Sequence, residues 1–314
     1  MQDFKIDTKI VMYLMTHDIV TLKSILDSML HSMLTLSKSM RGKMVSHEYD
    51  NYANLMFQMI LSKAIYFRRN IDTVRVQDGK DCLVYDDPAV VLNLVRQLYE
   101  AICTFAIVFC IPDTPEKRMI VYNIYVITGL RKRSNFNYEA NPEDAKRKLC
   151  ADQKDMEAKM TEIEKSDYFN RLDDRNKKLL RKYVEGYDFT PFVLSDDYIV
   201  SEKIKFEDIP NRLCVNEIIT RDVYRYLCTH AHSSFYSLLQ FSQWYDSNSE
   251  EGQAYVDIIS TQTKFVCFML SVAVDEFVKR FPMLQPIKQS FPEEEKQILD
   301  VFNHVARNKD ATVK

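Results

Sequence analysis

Apolar residues recur three and four positions apart along most of the chain. Ile10, Leu14, Ile19, Leu22, Ile25, Leu26, Met29, Met33 and Leu36 follow this spacing, which predicts a long amphipathic helix, or a broken pair, over residues 6–38. Residues 46–68 repeat the pattern. Between residues 72 and 86 the rhythm changes: two short valine-bearing runs flank Asp78-Gly79, which predicts a small β-hairpin.

Prolines then mark the helix starts. Asp87-Pro88 predicts a helix running to about Ile111, where Pro112 stops it, because the carboxylate can cap free amides and proline fits the first turn. Thr114-Pro115-Glu116 opens the next helix, which ends in the cations Arg131, Lys132 and Arg133. Asn141-Pro142 starts a highly charged helix with one narrow stripe of Ala145, Leu149, Met156, Met160 and Ile163, a solvated arm packed on one side. Ser166 begins another through Leu172, Leu179, Leu180 and Tyr183, closed by Gly186.

Residues 187–210 lose the helical period but keep their aromatics, as expected of an ordered surface connection. A short helix follows Pro210, a long one spans 220–241, another runs from Ser249 to Phe281, and the last starts at Pro292; the tail after Arg307 is expected to fray. These elements predict an all-α multi-helix bundle, one domain over 1–314. Its core helices lie at about 6–135 and 207–306, with a charged helical insertion at about 142–186.

Composition sharpens this. Five glycines and nine prolines in 314 residues are too few for a strand-rich fold. A net charge of −3 and the absence of a basic run give no sequence-level sign of a nucleic-acid patch. Seven scattered cysteines without a CxxC pair predict neither a zinc site nor a disulfide framework, and no cofactor is expected. The longest apolar runs, 101–111 and 265–274, stop short of the roughly 20 residues that span a bilayer. With no signal-peptide or anchor pattern at the start, the expectation is a cytoplasmic protein without a membrane partner.

The candidate chemistry is concentrated in two places. Arg96 and Glu100, four apart, can pair along the helix surface; the alternative, set by the apolar continuation of that helix, is that the charges are partly buried and need partners from another helix, with Arg225 a candidate for Glu100. Residues 220–241 form the second place. Read as one helix from Thr220, they put Arg225 and His232 within roughly 20° of each other, with Arg221, Cys228 and Ser233 beside them. His230 points away, towards Val223, Leu227, Ser234 and Leu238. No ExxH, HExxH, GxGxxG, P-loop or GxSxG pattern occurs, and His17, His31, His47 and His304 read as structural.

Arg225 with His230 fits RxxxxH and with His232 fits RxxxxxxH, and in this the chain resembles the HEPN superfamily of small helical bundles. The stretch YRYLCTHAHSS, with VRQLYEA earlier, is also similar to an uncharacterised bacterial helical family with a tyrosine-rich helix ending in histidine. The resemblance implies a metal-independent RNase of toxin or phage-defence type, acting on single-stranded RNA as a homodimer, with Arg225 and His232 or His230 catalytic; Glu100, Arg96, Arg221 and Ser233, placed by their helical spacing, are the expected supporting residues. Tyr226 stands where active members commonly carry a polar residue. DNA, lacking the 2′-hydroxyl, is not expected as substrate. The alternative is a non-catalytic interaction or regulatory scaffold that grips a partner with its charged arm.

Overall fold

The computed structural model describes residues 8–43, 45–72, 74–85, 87–136, 142–220, 222–231, 234–245 and 251–307. The chain opens with α1 (Thr8–Met15) and α2 (Ile19–Ser39), separated where the Asp18 carboxylate caps the amides of Val20 and Thr21. Next come α3 (Glu48–Asn70) and the antiparallel hairpin of β1 (Val74–Asp78) and β2 (Asp81–Tyr85). The Asp87 carboxylate accepts from the Ala89 amide at 2.8 Å and starts α4 (Pro88–Phe105), which ends in a π-helical turn, Ala106–Cys110. Then follow α5 (Pro115–Ser134), α6 (Pro142–Lys165), α7 (Asp167–Arg171) and α8 (Asp174–Val184). After an irregular segment and a 3₁₀ turn at Phe206–Asp208 come α9 (Ile209–Arg212), α10 (Glu217–Thr220), α11 (Val223–Ala231) and α12 (Phe235–Tyr245). The chain closes with α13 (Glu251–Arg280), α14 (Gln285–Gln289) and α15 (Glu293–Arg307). Among the described residues the fold is an all-α bundle with one small hairpin.

Two apolar clusters organise it. The larger joins α2, α3, α4, α13 and α15, and its centre is aromatic: Phe57 and Phe277 stack at 3.7 Å, with Phe105 at 6.4 and 6.3 Å from them. Residues 101–103 and 105–109 are buried, as the apolar text at the end of α4 requires. The smaller cluster takes Ile120, Val121, Ile124 and Ile127 from α5, Ile163 from α6, Leu180 from α8, and Phe192, Leu194 and Val200 from the irregular segment. Helix α5 therefore serves both clusters, because its Tyr122 belongs to the larger one. Phe189 packs against both, so residues 187–205 run along the seam between them.

Three helical stretches, Ile19–Ser39, Pro88–Cys110 and Tyr255–Arg280, are long and apolar enough to cross a membrane by length and composition. The apolar runs alone are short, but their flanking turns carry few charges. Within the bundle α13 packs on both α2 and α4.

Two predicted helices are each divided in two. The helix expected from Ser166 to Gly186 breaks at Leu172, whose ψ of 142° is extended, and Asp173 caps the second piece through the Asn176 amide at 2.7 Å. The single helix expected over 220–241 also breaks. Asp222 adopts a left-handed φ of 58° before α11, and after α11 ends at Ala231, Ser234 caps α12 by accepting from the Ser237 amide at 3.2 Å. Helix α11, which carries Arg225, is described as far as Ala231, and His232 lies outside the described residues.

Candidate functional site

The site grows from the packing of α11 on α4. Arg96 and Glu100 lie one turn apart on α4, partly buried at 24% and 35% side-chain exposure. Arg96 Nε donates to Glu100 Oε1 at 2.9 Å, and the Tyr224 hydroxyl of α11 donates to the same oxygen at 3.0 Å. The Arg96 guanidinium also lies 5.9 Å from the centre of the Tyr224 ring. Glu100 thus does recruit a group from another helix, but the group is Tyr224. Burial, reinforced by the neighbouring Glu100, pushes the Tyr224 phenol up to about 12, so it stays a neutral donor at ordinary pH.

Tyr99, on the same helix, reaches the other way. Its hydroxyl donates to the Phe206 carbonyl at 3.0 Å, and the rings of Tyr99, Tyr224 and Phe206 lie in sequence at 5.4 and 6.1 Å. This fixes the 3₁₀ turn beside the start of α11. Glu207 on that turn then meets Arg225: Nε donates to Oε2 at 2.9 Å and a terminal nitrogen to Oε1 at 3.3 Å. Asp222 lies 3.6 Å from the same guanidinium. The Arg225 hydrogen bond holds the Glu207 carboxyl below its usual range.

Tyr224, Arg225 and Cys228 line an open cleft of about 510 Å³. Residues 188–191 and 203–207 complete it, contributing Phe189, Ile204 and Phe206 as apolar surface and Lys203 and Lys205 as further cations. A second cleft of about 470 Å³ shares Asp188 and Phe189 with the first and adds Tyr52, Tyr125, Tyr187, Lys132 and Arg133. Aromatic side chains and cations, with the carboxylates Asp188 and Glu207, therefore line the seam of the fold.

The remaining predicted site residues fall elsewhere. His230 is only 3% exposed, its ring 4.8 Å from Tyr226 and 6.1 Å from Tyr236, on the core side with Leu227. Burial lowers its pKa against the opposing pull of Gln240, so the ring is neutral near pH 7. Arg225 and His230 share α11 but face different surroundings. Arg221, His232 and Ser233 lie outside the described residues. Among the described residues, no group of three or more His, Cys, Asp or Glu side chains is arranged to hold a metal ion.

Sequence reading missed Glu207, Lys203, Lys205 and Phe206, because residues 187–210 carry no period that aims their side chains. The aromatic content of that segment was the available signal. Comparison of the chain with protein-family models, with curated proteins and with solved structures finds no match.

Proposed function

We propose that this protein acts on single-stranded RNA, seating an unstacked base in the cleft beside Phe189, Phe206 and Tyr224. One observation carries the proposal: aromatic side chains and the cations Arg225, Lys203 and Lys205 line one open cleft, beside the carboxylates Asp188 and Glu207. Aromatic faces bind any base by stacking, and cations track the backbone. Cleavage follows the HEPN-like arginine-histidine scheme. His232 removes the 2′-hydroxyl proton, O2′ attacks the adjacent phosphorus, the P–O5′ bond breaks, and the 5′-oxygen leaves as a hydroxyl on taking a proton from water. Arg225 stabilises the phosphorane, and the product carries a 2′,3′-cyclic phosphate without need of a metal.

The proposal includes a homodimer and a cytoplasmic location. Supporting the first, α12 has no charged residue and exposes Phe235, Leu238 and Leu239. Supporting the second, the apolar α2 and α4 each pack on α13 inside the bundle. A non-catalytic interaction or regulatory scaffold is the alternative, favoured by Glu207 already occupying Arg225 and by the burial of His230.

Equilibrium binding of labelled single-stranded RNA separates these roles from cleavage. RNA bound by wild type, more weakly by Arg225→Ala and Phe206→Ala, supports the cleft; absence of binding by wild type on diverse RNAs leaves the protein-interaction role.

A further inference from the structure

Helix α8 differs in charge from every expectation set by the rest of the chain. The neighbouring α6 carries six cations and seven carboxylates, an alternating mixture typical of a solvated surface. By contrast, α8 carries five cations, Arg175, Lys177, Lys178, Arg181 and Lys182, and one carboxylate, Asp174. At 100° per residue the five cations fall within an arc of about 160°. The opposite arc holds Asn176, Leu180, Tyr183 and Val184, all buried. This amphipathic split packs one side of α8 into the smaller cluster and gathers the cations on the other.

Those cations line a concavity. All five border a cleft of about 730 Å³, together with Leu179 and the carboxylates Asp174, Glu185 and Glu202. Like charges around a concavity repel, and on a chain of net charge −3 such a gathering is the opposite of the average surface. Two of them are further positioned by one ring, with Lys177 Nζ at 5.8 Å and the Arg181 guanidinium at 5.7 Å from the centre of Phe169.

The α8 cleft also adjoins the RNA cleft along the chain. Glu202 borders the first and Lys203 the second, while Glu185 lies two residues from Tyr187 of the seam. The Tyr183 hydroxyl donates to the Ser201 carbonyl at 3.0 Å and ties α8 to the strand-like segment that leads to Lys203 and Lys205. Across the three clefts ten cations stand against five carboxylates.

We infer that the basic face of α8 docks the phosphate backbone of the RNA whose strand enters the Arg225 cleft, an inference that rests on the RNA assignment above. The α6–α8 insertion then acts as the grip that lengthens the binding site, while the seam holds the bases.

Salt-dependent fluorescence anisotropy tests this with two probes, a labelled single-stranded RNA of about 16 nucleotides and a labelled dinucleotide. The triple variant Lys177→Glu/Lys178→Glu/Lys182→Glu is compared with its glutamine counterpart, both checked for unchanged helicity and melting temperature. The expected result is at least tenfold weaker binding of the longer RNA in both variants, with unchanged dinucleotide binding. Removing three phosphate contacts flattens the slope of log K against log salt by about 2. Unchanged affinity and slope for the longer RNA would overturn the inference while leaving the Arg225 cleft intact. Equal competition by poly-glutamate would overturn it in favour of an acidic protein partner. Wild-type protein that binds neither probe removes the RNA assignment itself, and the inference with it.

Discussion

Arg225 is held by Glu207, eighteen residues away in the chain, through two guanidinium–carboxylate bonds at 2.9 and 3.3 Å, and both residues line one cleft. Glu207 thus occupies Arg225 as a phosphate would. Substituting Glu207→Gln should tighten RNA binding by up to about fivefold with little change in melting temperature, because Arg225 is exposed and the pair is only partly shielded from solvent. Anisotropy titrations of the two proteins provide the check; weaker binding by Glu207→Gln would show that Glu207 positions Arg225 instead of competing for it.

Arg96, Glu100 and Tyr224 form a unit in which two donors share one carboxylate oxygen. Tyr224→Phe should cost about 1 kcal/mol of stability. A double-mutant cycle between Tyr224→Phe and Glu100→Gln should show coupling of at least about 0.5 kcal/mol. The corresponding cycle between Arg225→Ala and Glu100→Gln should show none, since Arg225 belongs to Glu207. Chemical denaturation of the six proteins measures both.

The end of α4 is the centre of the core. Phe105, 1% exposed, touches Phe57, Phe109 and Phe277, so Phe105→Asp buries a charge without a partner and should leave no folded protein. Phe105→Leu, which keeps the site apolar, should fold and lose a few kcal/mol at most. Circular dichroism and melting curves distinguish the two, and a Phe105→Asp protein melting like wild type would refute this packing.

The sequence was informative wherever a local rule acts alone. Asp87, Thr114 and Ser166 each cap the helix that follows, and the apolar periods of α2, α3 and α4 mark their buried faces. It was weaker where two local signals compete. Ser234 could continue a helix or cap a new one, and its hydroxyl does the latter while donating to the Thr229 carbonyl at 3.1 Å. Of the candidate site, the Arg96–Glu100 pair and the inward turn of His230 could be read from spacing. Glu207, Lys203 and Lys205 could not, since they join the cleft of Arg225 through a segment held by the Tyr99 hydrogen bond and by Phe192 packing, not by a period.

His230 gives a pH signature. Its folded pKa is lowered by burial, so below about pH 6.5 the unfolded chain takes up a proton that the folded ring refuses. The unfolded state then binds more protons, and stability falls as pH drops. The melting temperature of wild type should decline more steeply between neutral and mildly acidic pH than that of His230→Gln. Parallel curves for the two proteins would place the histidine in water.

The central claim concerns chemistry at Arg225, and cleavage of single-stranded RNA in the presence of EDTA tests it most directly. Wild type should cut RNA, spare DNA and leave 2′,3′-cyclic phosphate ends. Arg225→Ala and His232→Ala, both verified as folded, should lose at least about a hundredfold in rate, the scale of a lost acid–base or charge-stabilising group. His230→Gln should cut at close to the wild-type rate. Cleavage that is equal in wild type, Arg225→Ala and His232→Ala, or absent from wild type at every RNA tested, would contradict the claim.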